Sequence, residues 1–259
     1  MIFRCFLVVL ILLFIGVSHV YSSSILFYVL SSRDDSGGWY TDPKDTSLLV
    51  EPVEKDGHTV KVEDETTLKD LTLNVLSKYE QAWILEGDED TNVEVSAKEA
   101  DELYEYYRQG HVIWISTESG AWTEDAGVFL ERFGISIEAE VAGKASPQVK
   151  GDHLLLKGLK TLKFDEGVGS MKVSNTDVKV IWKYPSNTGD KDAIAVLDKE
   201  GYAVFDSGWV AGYAYRPEGA GDSNIQFALN IARLASKLSI EYHSQSLSTT
   251  WANVKAIIK

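Results

Sequence analysis

Residues 111–122 read HVIWISTESGAW, and this stretch decides the fold. Val112, Ile113, Trp114 and Ile115 are apolar without alternation and run into a small polar cluster, Ser116-Thr117-Glu118-Ser119-Gly120. An alternating strand buries one face only. An unbroken apolar run suits a strand covered on both faces, as in a parallel sheet between helices. Ahead of it, residues 96–109 carry a capping box in Ser96 and Glu99, an apolar face of Ala100, Leu103, Tyr104 and Tyr107, and a stop at Gly110. Behind it, Thr123 stands where it would cap a helix that runs to Phe133 and stops at Gly134. Helix, buried strand and helix in this order build a doubly wound α/β fold. Ligands in such folds sit at the carboxyl ends of the strands, which places any chemistry at residues 116–122.

The pattern extends outward. Residues 25–30 (ILFYVL), 59–62 and 82–85 read as further strands, with helical patterns at 48–53 and 68–79 between them. In the second half, residues 135–141, 171–173 and 178–184 read as strands. Residues 193–197 and 202–205 flank Asp198-Lys199-Glu200-Gly201, a hairpin signal. Residues 206–222 read as a loop rich in glycine and aromatics. Residues 223–238 read as a last helix, with Ser223 and Gln226 as its capping box and Phe227, Ile231, Leu234 and Leu238 facing inward. No repeat or linker divides the chain, so residues 23–240 are expected to form one domain, followed by a polar tail at 241–259. The expected sheet is mostly parallel, with 25–30, 82–85, 112–116 and 202–205 in it and an antiparallel hairpin in the second half.

Acidic residues outnumber basic ones by 39 to 25, and the net charge of −14 argues against nucleic acid and anionic membrane surfaces as partners. The chain opens with Arg4 and an apolar run over 6–17, short of the roughly 20 residues that span a bilayer. Residues 1–22 therefore read as a signal peptide, with an uncleaved N-terminal anchor as the alternative because Ile2 and Val20 extend the run. Both readings place the domain outside the cytoplasm, secreted or anchored, with membrane contact only through the anchor. The one cysteine, Cys5, lies in this segment, so the mature chain would have no disulfide, cysteine nucleophile or thiolate metal site.

Four blocks resemble the class I glutamine-amidotransferase-like superfamily, in its non-catalytic extracytoplasmic branch of secreted domains. They are ILFYVL with its glycine loop, SAKEADELYEYYRQGHVIWIST, GDHLLLKGL, and YAVFDSGWVAGY followed by NIQFALNIARLAS. Together they span about residues 25–238. The resemblance implies a flavodoxin-like, amidotransferase-like sheet. GDHLLLKGL departs from the branch, where a proline follows the histidine. Catalytic members place a cysteine on a sharp turn after the central strand and a histidine after the last core strand; the thiolate attacks a carbonyl and the histidine takes its proton. Here the turn positions are Ser116 and Thr117, and Asp206 stands at the histidine position. With two triad members replaced, no catalytic residue is expected.

The other candidates are weaker. His19, His58, His111, His153 and His243 show no metal-ligand spacing. Asp88, Asp90, Asn92 and Glu99 match oxygen-ligand positions of a calcium loop, but Val93 occupies the place that requires glycine, and a solvated acidic loop is expected instead. No cofactor or metal follows from the sequence. The more suggestive set is aromatic. Trp39 and Tyr40 follow the first strand, Trp122 the central one, and Trp209, Tyr213 and Tyr215 the last core strand, so in a parallel sheet all open at one edge. With Glu118, Asp206 and Asn224 they form a candidate binding crevice for a polar small molecule, a glycan or a partner protein. The competing expectation is that the rings merely cover the sheet. Three functions remain open: a non-catalytic binding or scaffold domain, a carbohydrate-processing hydrolase of trehalose-utilisation type, and a lumenal or envelope subunit of a membrane-associated glycosylation complex.

Overall fold

A computed structural model of the chain describes residues 22–30, 43–86, 95–117, 123–142, 146–164, 167–215 and 222–235. Its elements, in order, are β1 (Ser24–Leu30), α1 (Pro43–Lys55), β2 (Thr59–Asp64), α2 (Leu73–Leu76), β3 (Gln81–Glu86), α3 (Ala97–Arg108), β4 (Val112–Ser116), α4 (Glu124–Arg132), β5 (Ile135–Ala142), β6 (Gly167–Val173), β7 (Lys179–Tyr184), β8 (Lys191–Asp198), β9 (Tyr202–Asp206), α5 (Val210–Tyr215) and α6 (Asp222–Ala232). Seven strands form one sheet in the order β2-β1-β3-β4-β9-β8-β7, while β5 and β6 pair separately and antiparallel. From β2 through β9 every neighbour is parallel; β8 and β7 then turn back antiparallel. The expected α/β sheet and its hairpin are both present.

Unbroken apolar strands are needed because both faces are covered. Ile25, Phe27 and Val29 of β1 enter one core with Trp83, Leu85, Val112 and Trp114, beneath Leu49, Val53, Val210 and Phe227 from α1, α5 and α6. Leu26, Tyr28 and Leu30 point the other way, into a second core with Ile84, Ile113 and Ile115, beneath Leu103, Tyr107 and Phe129 from α3 and α4. Alternation thus exists, but between two cores rather than between core and water.

Five local expectations change. Residues 68–79 contain only the single turn α2, because the Leu68 carbonyl accepts from Tyr28 Oη (2.9 Å) and the Leu71 N–H donates to Glu99 Oε1 (3.1 Å). These long-range bonds take the place of helical ones. In α3, Tyr106 is fully buried and Tyr104 only partly, so the apolar face is rotated from the expected one. Thr123 makes no side-chain cap hydrogen bond; the Ala126 N–H donates instead to Glu86 Oε2 at 2.7 Å, a cap supplied from β3. The stretch after β9 is not all loop, since α5 starts at Val210. Ser223 forms no capping box with Gln226, and its Oγ accepts from the N–H groups of Lys160 and Thr161 at 3.4 and 3.5 Å. The capping box of Ser96 and Glu99 is present as expected.

Candidate functional site

The strand order reverses at β1, which has β2 on one side and β3 on the other, and such a switch point opens a crevice at the carboxyl ends of the strands. Register fixes what lies there: Leu30 is level with Glu86, Leu85 with Ser116, and Ser116 with Asp206. The centre of this edge is Asp206, which is completely buried. Its Oδ2 accepts from Trp114 Nε1 at 2.7 Å. Its Oδ1 accepts from Ser116 Oγ (3.2 Å), the Val210 N–H (2.9 Å) and the Gly208 N–H (3.3 Å). The last two bonds satisfy donors at the start of α5, which is why a helix begins there without Ser or Thr at its cap. Burial pushes the Asp206 carboxyl up to about 6, against the pull of its donors from Val210, Trp114, Ser116 and Gly208.

Ser116 is equally enclosed. Its Oγ donates to Asp206 and accepts from the Ala211 N–H at 3.1 Å. Thr117 continues the ladder, donating its N–H to the Asp206 carbonyl (3.0 Å) and accepting from the Trp209 N–H (2.8 Å) through its own carbonyl. A carboxylate that titrates near 6 is too weak a base to remove the proton of the serine paired to it, and among the described residues no histidine bonds to Ser116. The pair is built to hold β4, β9 and α5 together.

Trp209 roofs this network. It is 4 % exposed, and its indole Nε1 donates to the Glu86 carbonyl at 2.8 Å, so one ring bridges from the loop after β9 to the end of β3. Its backbone is left-handed, φ 52°, a conformation that costs roughly 1–3 kcal/mol for a residue other than glycine and persists only where surroundings enforce it. Two glycines make room: a Cβ at Gly212 would overlap the Trp209 indole, and one at Gly208 would overlap the Phe164 ring. Asn224 is buried as well. Its Oδ1 accepts from the Lys163 N–H (2.8 Å), and its Nδ2 donates to the carbonyls of Lys163 (3.0 Å) and Val210 (3.2 Å).

Of the eight candidate binding residues, the structure therefore brings together Asp206, Trp209 and Asn224, each with its polar atoms engaged inside the protein. Tyr213 falls on α5, with its side chain outside the described residues. Trp39, Tyr40, Glu118 and Trp122 lie outside the described residues, as do Asp88, Asp90 and Asn92 of the acidic loop. Glu99 is held by its capping box and by Leu71. Sequence reading missed Trp114 and Glu86. A signal existed for Trp114, since an indole N–H in a doubly covered strand requires an acceptor, and Asp206 is the carboxylate at the neighbouring strand end.

His153 caps the turn at Leu154–Leu156 through Nδ1 and meets Tyr202 Oη through Nε2 at 3.3 Å, while His111 stacks on Tyr106. Among the described residues no cluster of His, Cys, Asp and Glu could hold a metal, and no helix is long and apolar enough to cross a membrane. A cavity of about 430 Å³ lies against the end of β7, lined by Trp182, Lys150, Lys183 and Asp190.

No protein-family model matches the chain, and no curated protein matches it. Solved structures do. A cytoplasmic protein from Salmonella typhimurium superposes with a TM-score of 0.55 at 14 % identity, over 81 % of this chain and 97 % of that one. A ThuA-like protein from Bacteroides uniformis superposes with a TM-score of 0.54 at 13 % identity, over 85 % of this chain and 94 % of that one. The chain thus has the class I glutamine-amidotransferase-like fold, which ThuA-like proteins share.

Proposed function

We propose that this chain is a non-catalytic binding or scaffold domain that works outside the cytoplasm, with a polar small molecule, a glycan or a partner protein at the carboxyl edge of its sheet. One observation carries the reading. Asp206, at the position where the catalytic families keep a histidine, is completely buried and accepts four hydrogen bonds from Trp114, Ser116, Gly208 and Val210. The residues that would perform acyl transfer are used as a fixed floor. In this reading Asp206, Trp209 and Asn224 form that floor, while Trp39, Tyr40, Glu118, Trp122 and Tyr213 meet the ligand. The extracytoplasmic location rests on the apolar opening of the sequence alone.

A hydrolase of trehalose-utilisation type is the second reading, favoured by the ThuA-like neighbour and by a carboxyl that titrates near 6. Thermal denaturation with a panel of oligosaccharides and divalent ions separates the two. A ligand present at about a hundred times its Kd adds about 2.7 kcal/mol to the native state. The expected result is a raised melting temperature with one glycan class and no cleavage of it. Turnover of the glycan, lost in Asp206→Asn, would replace the binding reading with the hydrolase.

A further inference from the structure

The amino edge of the sheet, opposite the crevice, holds a closed ring of hydrogen bonds. Gln81 Nε2 donates to the Ala232 carbonyl at 2.6 Å and to Ser23 Oγ at 2.9 Å. Ser23 Oγ lies 2.7 Å from His58 Nδ1, and the Ser23 N–H donates to the same nitrogen at 3.2 Å. His58 Nε2 faces Asp56 Oδ2 at 3.5 Å. Asp56 in turn accepts two bonds from Arg233, at 2.6 and 2.7 Å. Ala232 and Arg233 are consecutive, so the ring leaves the end of α6 and returns to it. On the way it ties in β3, the start of β1 and the turn between α1 and β2.

The protonation state of His58 follows from the donors. A backbone N–H can only donate, so Nδ1 presents a lone pair to Ser23; the ring proton sits on Nε2 toward Asp56, and the imidazole is neutral. The next proton has one place to go, Nδ1. Once there it opposes the Ser23 N–H, donor against donor; Ser23 Oγ, 2.7 Å away, can turn to accept it only by giving up its own donation, and the backbone N–H is left without its acceptor where the His58 side chain is 2 % exposed.

We propose that this ring is an acid-operated latch, in which a proton taken up at His58 Nδ1 breaks the bond from the Ser23 N–H, reverses the one to Ser23 Oγ, and loosens the start of β1 and the end of α6 together. Three charged groups bear on the ring. Asp56 and Glu80 favour the proton, Arg233 opposes it, and burial, the largest cause, holds His58 below its usual value. The native state therefore takes the proton less readily than the unfolded chain. The latch's contribution is complete above the ordinary histidine range, near pH 6.5, and is lost as pH falls below it.

The test reads the whole chain by nitrogen-detected NMR of His58 and by amide hydrogen exchange, corrected for intrinsic rates. The expected result is the Nε2–H form at about pH 7.5. Protection of the Ser23 and Arg233 amides then falls at least about tenfold between about pH 7 and 5, while β3 and β4 hold theirs. His58→Asn keeps an acceptor near the Nδ1 place and cannot take up the proton, so its two ends should stay equally protected at both pH values. Nδ1–H at neutral pH, no loss of protection in the wild type, or the same loss in His58→Asn would each overturn the latch. Should the variant fail to fold, the wild-type tautomer and titration decide alone.

Discussion

The indole of Trp114 donates to the Asp206 carboxylate across 2.7 Å, between two side chains that no solvent reaches. Ser116 is level with Asp206 in the ladder, so Trp114 sits two residues below and on the same face, and its long ring reaches up to the strand end. The largest side chain of the central strand is thereby also the donor that permits a carboxylate in the core.

Trp114→Phe keeps most of the packing and removes that donor. A buried carboxylate that loses a hydrogen bond costs about 1.5–3 kcal/mol, more than the lost ring area. Denaturant unfolding should show that loss, together with a further rise of the Asp206 pKa. A change under about 0.5 kcal/mol would mean the bond contributes nothing.

Asp206 also makes a pH prediction of definite sign. Its folded carboxyl titrates at about 6, against 3.8 for the free group, so between these values the native state holds a proton that the unfolded chain releases. The corresponding stability is complete below about pH 4 and is lost as pH rises through 6, on the order of 3 kcal/mol in all. His58, His111 and His153 are held below their ordinary values by burial and act in the opposite direction, losing stability as pH falls through the histidine range. The difference between wild type and Asp206→Asn, measured from about pH 4 to 8, isolates the carboxylate. A difference that is flat across that range would show that Asp206 does not titrate there.

The sheet was readable from sequence because β1, β3, β4 and β9 are buried on both faces, which leaves apolar runs with no competing pattern. What escaped was set by distant partners. The helix α5 has a glycine inside it, and its leading N–H groups are satisfied by Asp206, which ends the strand before. Thr123 looked like a cap, and Glu86, 40 residues away from the bond it accepts at Ala126, does that work. At the site, the sequence pointed to Asp206, Trp209 and Asn224, but not to their being saturated within the fold.

Gly212→Ala sets two effects against each other. Within a helix the substitution ordinarily stabilises, by about 1 kcal/mol. Here the added Cβ would overlap the Trp209 indole, and overpacking a core typically costs about 1–3 kcal/mol. Net destabilisation is expected, along with a shift in tryptophan fluorescence, and Gly208→Ala should destabilise through Phe164. A stabilised Gly212→Ala protein would show that the indole is free to move aside.

The tryptophans decide whether the crevice binds anything. Trp209 is 4 % exposed and Phe129 1 % exposed, so both behave as core residues, and replacing either by alanine should cost roughly 3–5 kcal/mol. Trp209→Phe is the finer probe: it keeps a ring over Gly212 and removes only the bond to the Glu86 carbonyl, a loss of about 1–3 kcal/mol. Trp39 and Trp122 are assigned to the ligand in the proposed function. A ring that lines an open crevice is already partly wet, so its removal should cost far less than a core aromatic. Trp39→Ala and Trp122→Ala should therefore unfold within about 1 kcal/mol of wild type while losing the ligand-dependent rise in melting temperature. If both variants instead lose as much stability as Phe129→Ala, their rings belong to the core, and the crevice has no aromatic surface left with which to bind.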